Sequence, residues 1–214
     1  MSSRKNQHRK SISVYAIVGD GYSEKLYFEQ LKAIEQLKNI QVKPDLPNKS
    51  GKGASFIRVM NKAQALHAEG YDKVYCLIDF DTVLHENKVD LYKKEKAKLE
   101  KKGIIVLECN PCFELWYLLH FKKTTKPFSN CDNVVSEIKN TTDLREYSKK
   151  QTFQKNMYNV LKQRLLTAFE NALSLENDRE DMSTNYPRAE VFKVFIDILD
   201  EVKSHYDTIK LMNN

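Results

Sequence analysis

No apolar run in this sequence approaches the roughly 20 residues that a membrane-crossing helix needs. The basic start, MSSRKNQHRK, leads into only a short apolar stretch, and no secretory cleavage pattern follows it. A cytoplasmic protein without membrane association is therefore expected. Internal repeats are absent. The single C-x-x-C, at Cys109 and Cys112, has no second copy, which argues against a zinc site completed by His120 and Cys131. A thiol–disulfide role would need a lowered thiol pKa that the pattern does not announce, and nothing resembles a secreted disulfide scaffold. Positive charge is also scarcer than it looks. Arg4, Lys5, Arg9 and Lys10 account for four of the six net positive charges, leaving +2 over residues 11–214. The excess is mostly a tail, which helps to hold a polyanion but does not by itself establish nucleic-acid binding.

What is present suits a packed domain of generous size, with 214 residues, 41% of them hydrophobic and 30% charged. SVYAIVG (13–19) is rich in β-branched and aromatic residues and reads as a buried strand. From Ser23 the apolar spacing turns helical, through Leu26, Tyr27, Leu31, Ile34 and Leu37, to about Lys38. IQVKPDL (40–46) alternates, and Pro44 favours an edge strand. NKSGKGAS (48–55) lacks the complete G-x-x-x-x-G-K-[ST] pattern, so it reads as a flexible turn or as a grip on substrate phosphates through Lys52. A helix follows, with Ile57, Met60, Ala63 and Leu66 as its apolar positions. KVYCLIDFD (73–81) is the strongest strand, DLYKKEKAKLEKK (90–102) a helix with a solvated lysine face, and IIVLEC (104–109) another buried strand. NPCFELWYLLHF (110–121) then opens a helix, with Asn110 as N-cap and Pro111 at its first position. The rest reads as helices over 132–140, 151–175 and 187–204. The alternation predicts an α/β core over 12–121, a mainly parallel four-stranded sheet flanked by helices. A basic tail (1–11) precedes it, and a helical extension (122–214) packs on it.

Acids collect where these strands end. Asp20 follows the first strand, and Glu24 lies in the helix after it. Asp79 and Asp81 end the third strand, and on a strand two residues apart they aim together while Phe80 packs the other way. Glu114 lies in the first turn after the fourth. In a parallel sheet these positions share the ligand-binding edge. Two carboxylates about 4 Å apart repel by roughly 4 kcal/mol at an effective dielectric near 20, which a cation relieves. Oxygen donors without convergent histidines favour Mg²⁺ or Mn²⁺ over zinc.

These residues resemble the Toprim domain of topoisomerases, primases and OLD-type nucleases, which pairs an acid after its first strand with a later D-x-D. More closely, the chain resembles the RloB/AbiLii-like family of prokaryotic defence proteins. Val18 to Phe28 matches a motif of the form V-x-E-G-x-[ST]-E-x-x-Y-F, Asp79 and Asp81 match the D-x-D, and Asn110 to Phe121 matches N-P-x-F-E-x-W-x-x-x-H-F throughout. The stretch NYPRAEVFKVF also resembles a family segment. The resemblance implies a Toprim-like, divalent-metal-dependent nuclease of abortive infection, acting on RNA, including tRNA, with an ATPase partner. One departure stands out: Asp20 replaces the family's glutamate and is one methylene shorter.

The expected site is thus Asp20, Glu24, Asp79, Asp81 and Glu114 as catalytic acids. Asp79 and Asp81, with Asp20 or Glu24, hold one or two Mg²⁺ or Mn²⁺ ions. Glu114 completes the ring or orients a ligand. Lys52, Asn110 and His120 are expected at the substrate, although His120, four residues after Trp116, is equally a packing residue. The Y-x-K-K stretch from Tyr147 to Lys150, with Lys155 nearby, reads as a solvated loop or as contacts to a nucleic-acid backbone. The alternative reading is a non-catalytic sensor subunit that binds a nucleotide or a partner on the same acidic edge. Oligomerisation is compatible with either reading.

Overall fold

Tyr15–Val18, with burial rising along YAIV, forms the first strand, β1. It lies beside Ile40–Val42 (β2) on one side and Lys73–Asp79 (β3) on the other, both parallel to it. Ile105–Asn110 (β4) extends the parallel set from β3, and Arg188–Ala189 (β5) closes it antiparallel to β4. The order is β2-β1-β3-β4-β5. The computed structural model describes residues 13–19, 21–43, 55–178 and 186–212. Asp20, Lys52 and the basic tail of residues 1–11 lie outside them.

The sheet separates two apolar layers, as the period of two along each strand requires. Tyr75 and Leu77 face one layer with Tyr27, Phe28 and Leu31 of the helix Tyr22–Ile34 (α1). Val74, Cys76 and Ile78 face the other with the helix Phe56–Ala68 (α2). That second layer is completed by Phe80–His85 (α3) and Val89–Glu100 (α4), through Phe80, Val83, Tyr92 and Leu99. Burying side chains of this size contributes about 1.5–3 kcal/mol each, which is what docks the helices. Gly70, at φ 92, follows the end of α2, a left-handed conformation that favours glycine after a helix.

The first layer continues without interruption into the second half of the chain. The helices Glu114–Leu119 (α5), Cys131–Thr141 (α6), Gln151–Gln154 (α7), Met157–Leu161 (α8) and Leu165–Asn177 (α9) follow in order. After β5 come Phe192–Ile198 (α10) and Asp200–Met212 (α11). Val134, Ile138, Leu161, Phe169 and Phe195 belong to the same cluster as Ile17 and Tyr75.

The α/β architecture agrees with the sequence reading, with four local corrections. A fifth strand, β5, stands where the helix read over 187–204 was to begin, being two residues long and too short to show alternation, and that helix is itself broken at Leu199 into α10 and α11. The strand read as 73–81 stops at Asp79, and Asp81 sits in the first turn of α3, so the two aspartates do not alternate along one strand. Asn110 is the last residue of β4 rather than an N-cap; the Asn110–Pro111 peptide is cis and the helix begins at Glu114. The long helix read over 151–175 is broken into α7, α8, a 3₁₀ turn at Lys162–Arg164, and α9.

Candidate functional site

The carboxyl ends of β1, β3 and β4 lie on one edge, and each is followed by a helix whose first turn carries an acid: Glu24 in α1, Asp81 in α3 and Glu114 in α5. Asp79 ends β3 opposite Cys109 of β4. Its Oδ1 accepts the backbone N–H of Phe113 at 2.8 Å, which ties the β3 end to the turn before α5. The N–H of Asp81 donates to the carbonyl of Pro111 in the same turn at 3.0 Å. The backbone N–H groups of Cys131 and Thr82 favour the charged form of the Asp81 carboxylate. Burial raises its pKa and the negative charge of Glu114 adds to the rise, while those N–H groups and Lys149 offset part of it.

Glu114 is only 2% exposed, yet its carboxylate is densely held. Oε1 accepts from the hydroxyls of Ser23 at 2.9 Å and Tyr147 at 3.1 Å, and lies 3.4 Å from Nζ of Lys149. Tyr147 accepts in turn from Nε2 of Gln154 at 3.0 Å. Lys149 keeps 49% of its side chain exposed. Partial burial alone would lower its pKa, but Glu114, Asp79 and Asp81 outweigh it and hold the group as an ammonium. Glu24 is 4% exposed and folds back over the strand–helix junction. A Cβ on Gly21 would fall 2.1 Å from its Oε2, so the glycine leaves the space in which that carboxylate lies. Asp81 also borders an open pocket of about 600 Å³ lined by Thr82, Leu84, His85, Ser129 and Asn130.

The expected residues therefore separate into groups. Glu24, Asp79, Asp81 and Glu114 come to one edge. Asp20 and Lys52 are outside the described residues. Asn110 is buried and donates from Nδ2 to the carbonyl of Tyr186 at 2.7 Å, anchoring the approach to β5. His120 has no exposed surface. Its ring packs edge-on against Trp116, with Nδ1 2.8 Å from the Trp116 carbonyl, and burial lowers its pKa to about 3. Its contacts are those of a core residue. Ser23 was not in the sequence-derived set, and Tyr147 entered it only as the start of the Y-x-K-K stretch, not as a partner of Glu114. Ser23 lies one residue before Glu24 in a matched motif, a signal that was available; Tyr147 reaches Glu114 from 33 residues away, for which the sequence carries none.

The cysteines also differ from expectation. Cys112 is joined by a disulfide to Cys131, while Cys76 and Cys109 are free and buried. Cys109 sits on β4 with its side chain in the core, so the C-x-x-C spacing does not bring the pair together. Cys131 Sγ lies 3.0 Å from Oε2 of Glu114. As a disulfide sulfur it has no hydrogen to donate, so this is a contact only.

Another buried carboxylate lies at the same end of β4 on the opposite face. Glu108 accepts from Tyr92 and Lys96, both at 2.8 Å, and pairs with Arg188 of β5 at 2.5 Å. Burial would raise its pKa, but Arg188 and Lys96 outweigh burial and bring it to about 2. The Arg188 guanidinium lies 4.4 Å from the centre of the Phe80 ring, inside the D-x-D.

The RloB-like protein family matches residues 15–198. The chain belongs to that family. Comparison with curated proteins and with solved structures gives no match. The family match runs from β1 to α10 and so covers the whole acidic edge. Among the described residues no helix is long and apolar enough to cross a membrane.

Proposed function

We propose that this RloB-like chain is a divalent-metal-dependent nuclease with a Toprim-like core. It cuts RNA, tRNA included, in cytoplasmic anti-phage abortive-infection defence, together with an ATPase partner. Family membership is consistent with a defence-related protein. One observation carries the nuclease reading: Glu24, Asp79, Asp81 and Glu114 stand at the carboxyl ends of three parallel strands, and the last three act together on the ammonium of Lys149. Carboxylates gathered at such an edge repel one another unless a cation joins them.

The donor chemistry suits Mg²⁺ or Mn²⁺, although among the described residues no three of these carboxylates bring ligand atoms within 4.8 Å of one another. The donor set is made of carboxylate oxygens, His120 is shut in the core, and the seat left by Gly21 accommodates the Glu24 carboxylate. Asp79, Asp81 and Glu24, with Asp20, are the residues that would hold the ion. When bound, it supplies Lewis-acid activation of water and of the scissile phosphate. The chain's own groups do the rest. The Phe113 and Cys131 N–H groups orient Asp79 and Asp81. Ser23 and Tyr147 fix Glu114, which holds Lys149 at the mouth of the site. Half-exposed, Lys149 meets a phosphate oxygen of the substrate and steadies its charge. Lys52 and the basic tail add contacts that weaken with salt.

The test is incubation of the purified protein with RNA and DNA pools in Mg²⁺, in Mn²⁺ and in EDTA, beside Asp79→Asn and Asp81→Asn. Metal-dependent cleavage of RNA that both variants lose is the expected result. Variants that cut as well as the parent would refute the reading. A silent protein is retested with a cognate ATPase; silence there favours the sensor alternative.

A further inference from the structure

The Cys112–Cys131 disulfide closes 19 residues of sequence and lies directly beneath the acidic edge. Its two ends adjoin the groups that hold the D-x-D. Cys112 stands between Pro111, whose carbonyl accepts from Asp81 at 3.0 Å, and Phe113, whose N–H donates to Asp79 at 2.8 Å. The backbone N–H of Cys131 favours the charged form of the Asp81 carboxylate. The Cys131 sulfur lies 3.0 Å from Nζ of Lys149 and 3.0 Å from Oε2 of Glu114. One covalent bond thus joins the two segments that grip Asp79 and Asp81, and it touches the two charged groups facing them. Without it, the start of α6 is tied to the turn before α5 only by weaker contacts.

We propose that Cys112 and Cys131 form a reversible thiol–disulfide couple, exchanging with a low-molecular-weight disulfide, whose oxidised form holds the acidic edge in its binding geometry. Cys131 is 9% exposed and Cys112 1%, so Cys131 is the cysteine nearer to solvent and is assigned the first attack. Its thiolate attacks one sulfur of the external disulfide. That S–S bond breaks, and the first small thiol leaves and takes up a proton. Cys112 then gives up its proton and attacks the Cys131 sulfur, expelling the second small thiol. Two electrons pass from the cysteine pair to the external disulfide, which becomes two thiols. The Lys149 ammonium beside Cys131 steadies the negative sulfur on the way. Excess small thiol runs the sequence backwards. The couple stands apart from the nuclease reading; its effect on metal binding rests on that reading.

The experiment uses the full chain, equilibrated in glutathione buffers of set thiol-to-disulfide ratio, denatured, alkylated and weighed. The four cysteines should all take label in reducing buffer and only Cys76 and Cys109 in oxidising buffer, a transition that Cys109→Ser keeps and that Cys112→Ser and Cys131→Ser abolish. The two forms of the wild-type chain, which need no substitution and so no new fold, are then titrated with Mn²⁺ and followed by paramagnetic resonance. The oxidised form should bind about tenfold more tightly, the scale on which groups orienting metal ligands act. Four labels at every ratio would overturn the couple. So would stoichiometric Zn²⁺ held by the reduced chain and blocking oxidation, since Cys112, Glu114 and Cys131 have ligand atoms within 4.8 Å of one another. Equal Mn²⁺ affinity in the two forms would overturn its control of the edge. If neither form binds Mn²⁺, the metal reading fails on its own. Amide exchange at Phe113 and Cys131 then decides the coupling, and protection unchanged by reduction defeats it.

Discussion

Glu108 and Glu114 are both buried, six residues apart, on opposite sides of the sheet's carboxyl edge, and they are held in opposite ways. Glu108 meets a guanidinium, an ammonium and a phenol, and its carboxylate is held ionised down to about pH 2. Glu114 meets two hydroxyls and a half-exposed lysine, and that lysine also faces Asp79 and Asp81. The first arrangement is a closed strut that fastens β5 to β4. The second gathers acids close enough that Glu114 helps to raise the pKa of Asp81. Burial of a carboxylate therefore does not by itself separate a structural acid from a functional one. The neighbouring charges do.

The largest effect should come from opening the strut. Arg188→Met leaves Glu108 buried without its guanidinium and should cost about 3–5 kcal/mol in urea unfolding. Lys149→Met should cost less, because the lysine is half-exposed and screened and Glu114 keeps the hydroxyls of Ser23 and Tyr147. Equal losses would erase the contrast between the two carboxylates. Next in size, Asp79→Asn and Asp81→Asn should each lower metal-dependent cleavage by at least about 10²-fold, the scale of a misplaced reacting group. Gly21→Ala tests the seat of Glu24. Gly21 has φ −103, which alanine adopts freely, so stability should change by under about 1 kcal/mol. The new Cβ displaces the Glu24 carboxylate, and Mn²⁺ affinity should fall about tenfold. An unchanged affinity would remove Glu24 from the metal set.

Stability should also slope with pH. Burial holds His120 neutral to about pH 3, whereas in the unfolded chain it protonates near pH 6.5. Between those values the unfolded state binds the extra proton, so stability rises with pH, by at most about 1.4 kcal/mol per unit. The depressed pKa of Glu108 acts lower, its contribution being lost as pH falls from about 4.5 towards 2. Urea midpoints between pH 5 and 6.5 should therefore isolate His120, and His120→Gln should flatten the slope there. A slope that survives the substitution would mean that another group titrates.

Much of the fold was legible because it is written in local pattern. The runs at 13–19, 73–79 and 104–109 are apolar and β-branched, and the helices after them carry a 3.6-residue period. The acids at Glu24, Asp79, Asp81 and Glu114 were legible because strand ends in a parallel sheet share one edge. Asp81 was misjudged because D-F-D reads equally well as a strand end and as the start of α3, and only the packing of Phe80 on Tyr92 and Arg188 distinguishes them. His120 matched a family position, yet its burial depends on Trp116 and the helices around it. Cys112 was hidden by Cys109, whose C-x-x-C spacing drew attention to the wrong pair.

By itself, the sequence determined the α/β alternation, the order of the acids and the RloB-like membership, because each is carried by residues near one another in the chain. Tertiary structure alone decided which acid is paired and which is gathered. Arg188 reaches Glu108 across 80 residues, Tyr147 reaches Glu114 across 33, and Cys131 reaches Cys112 across 19. Those partners meet only after β5 and α6 have docked, and no local period of the chain encodes that meeting.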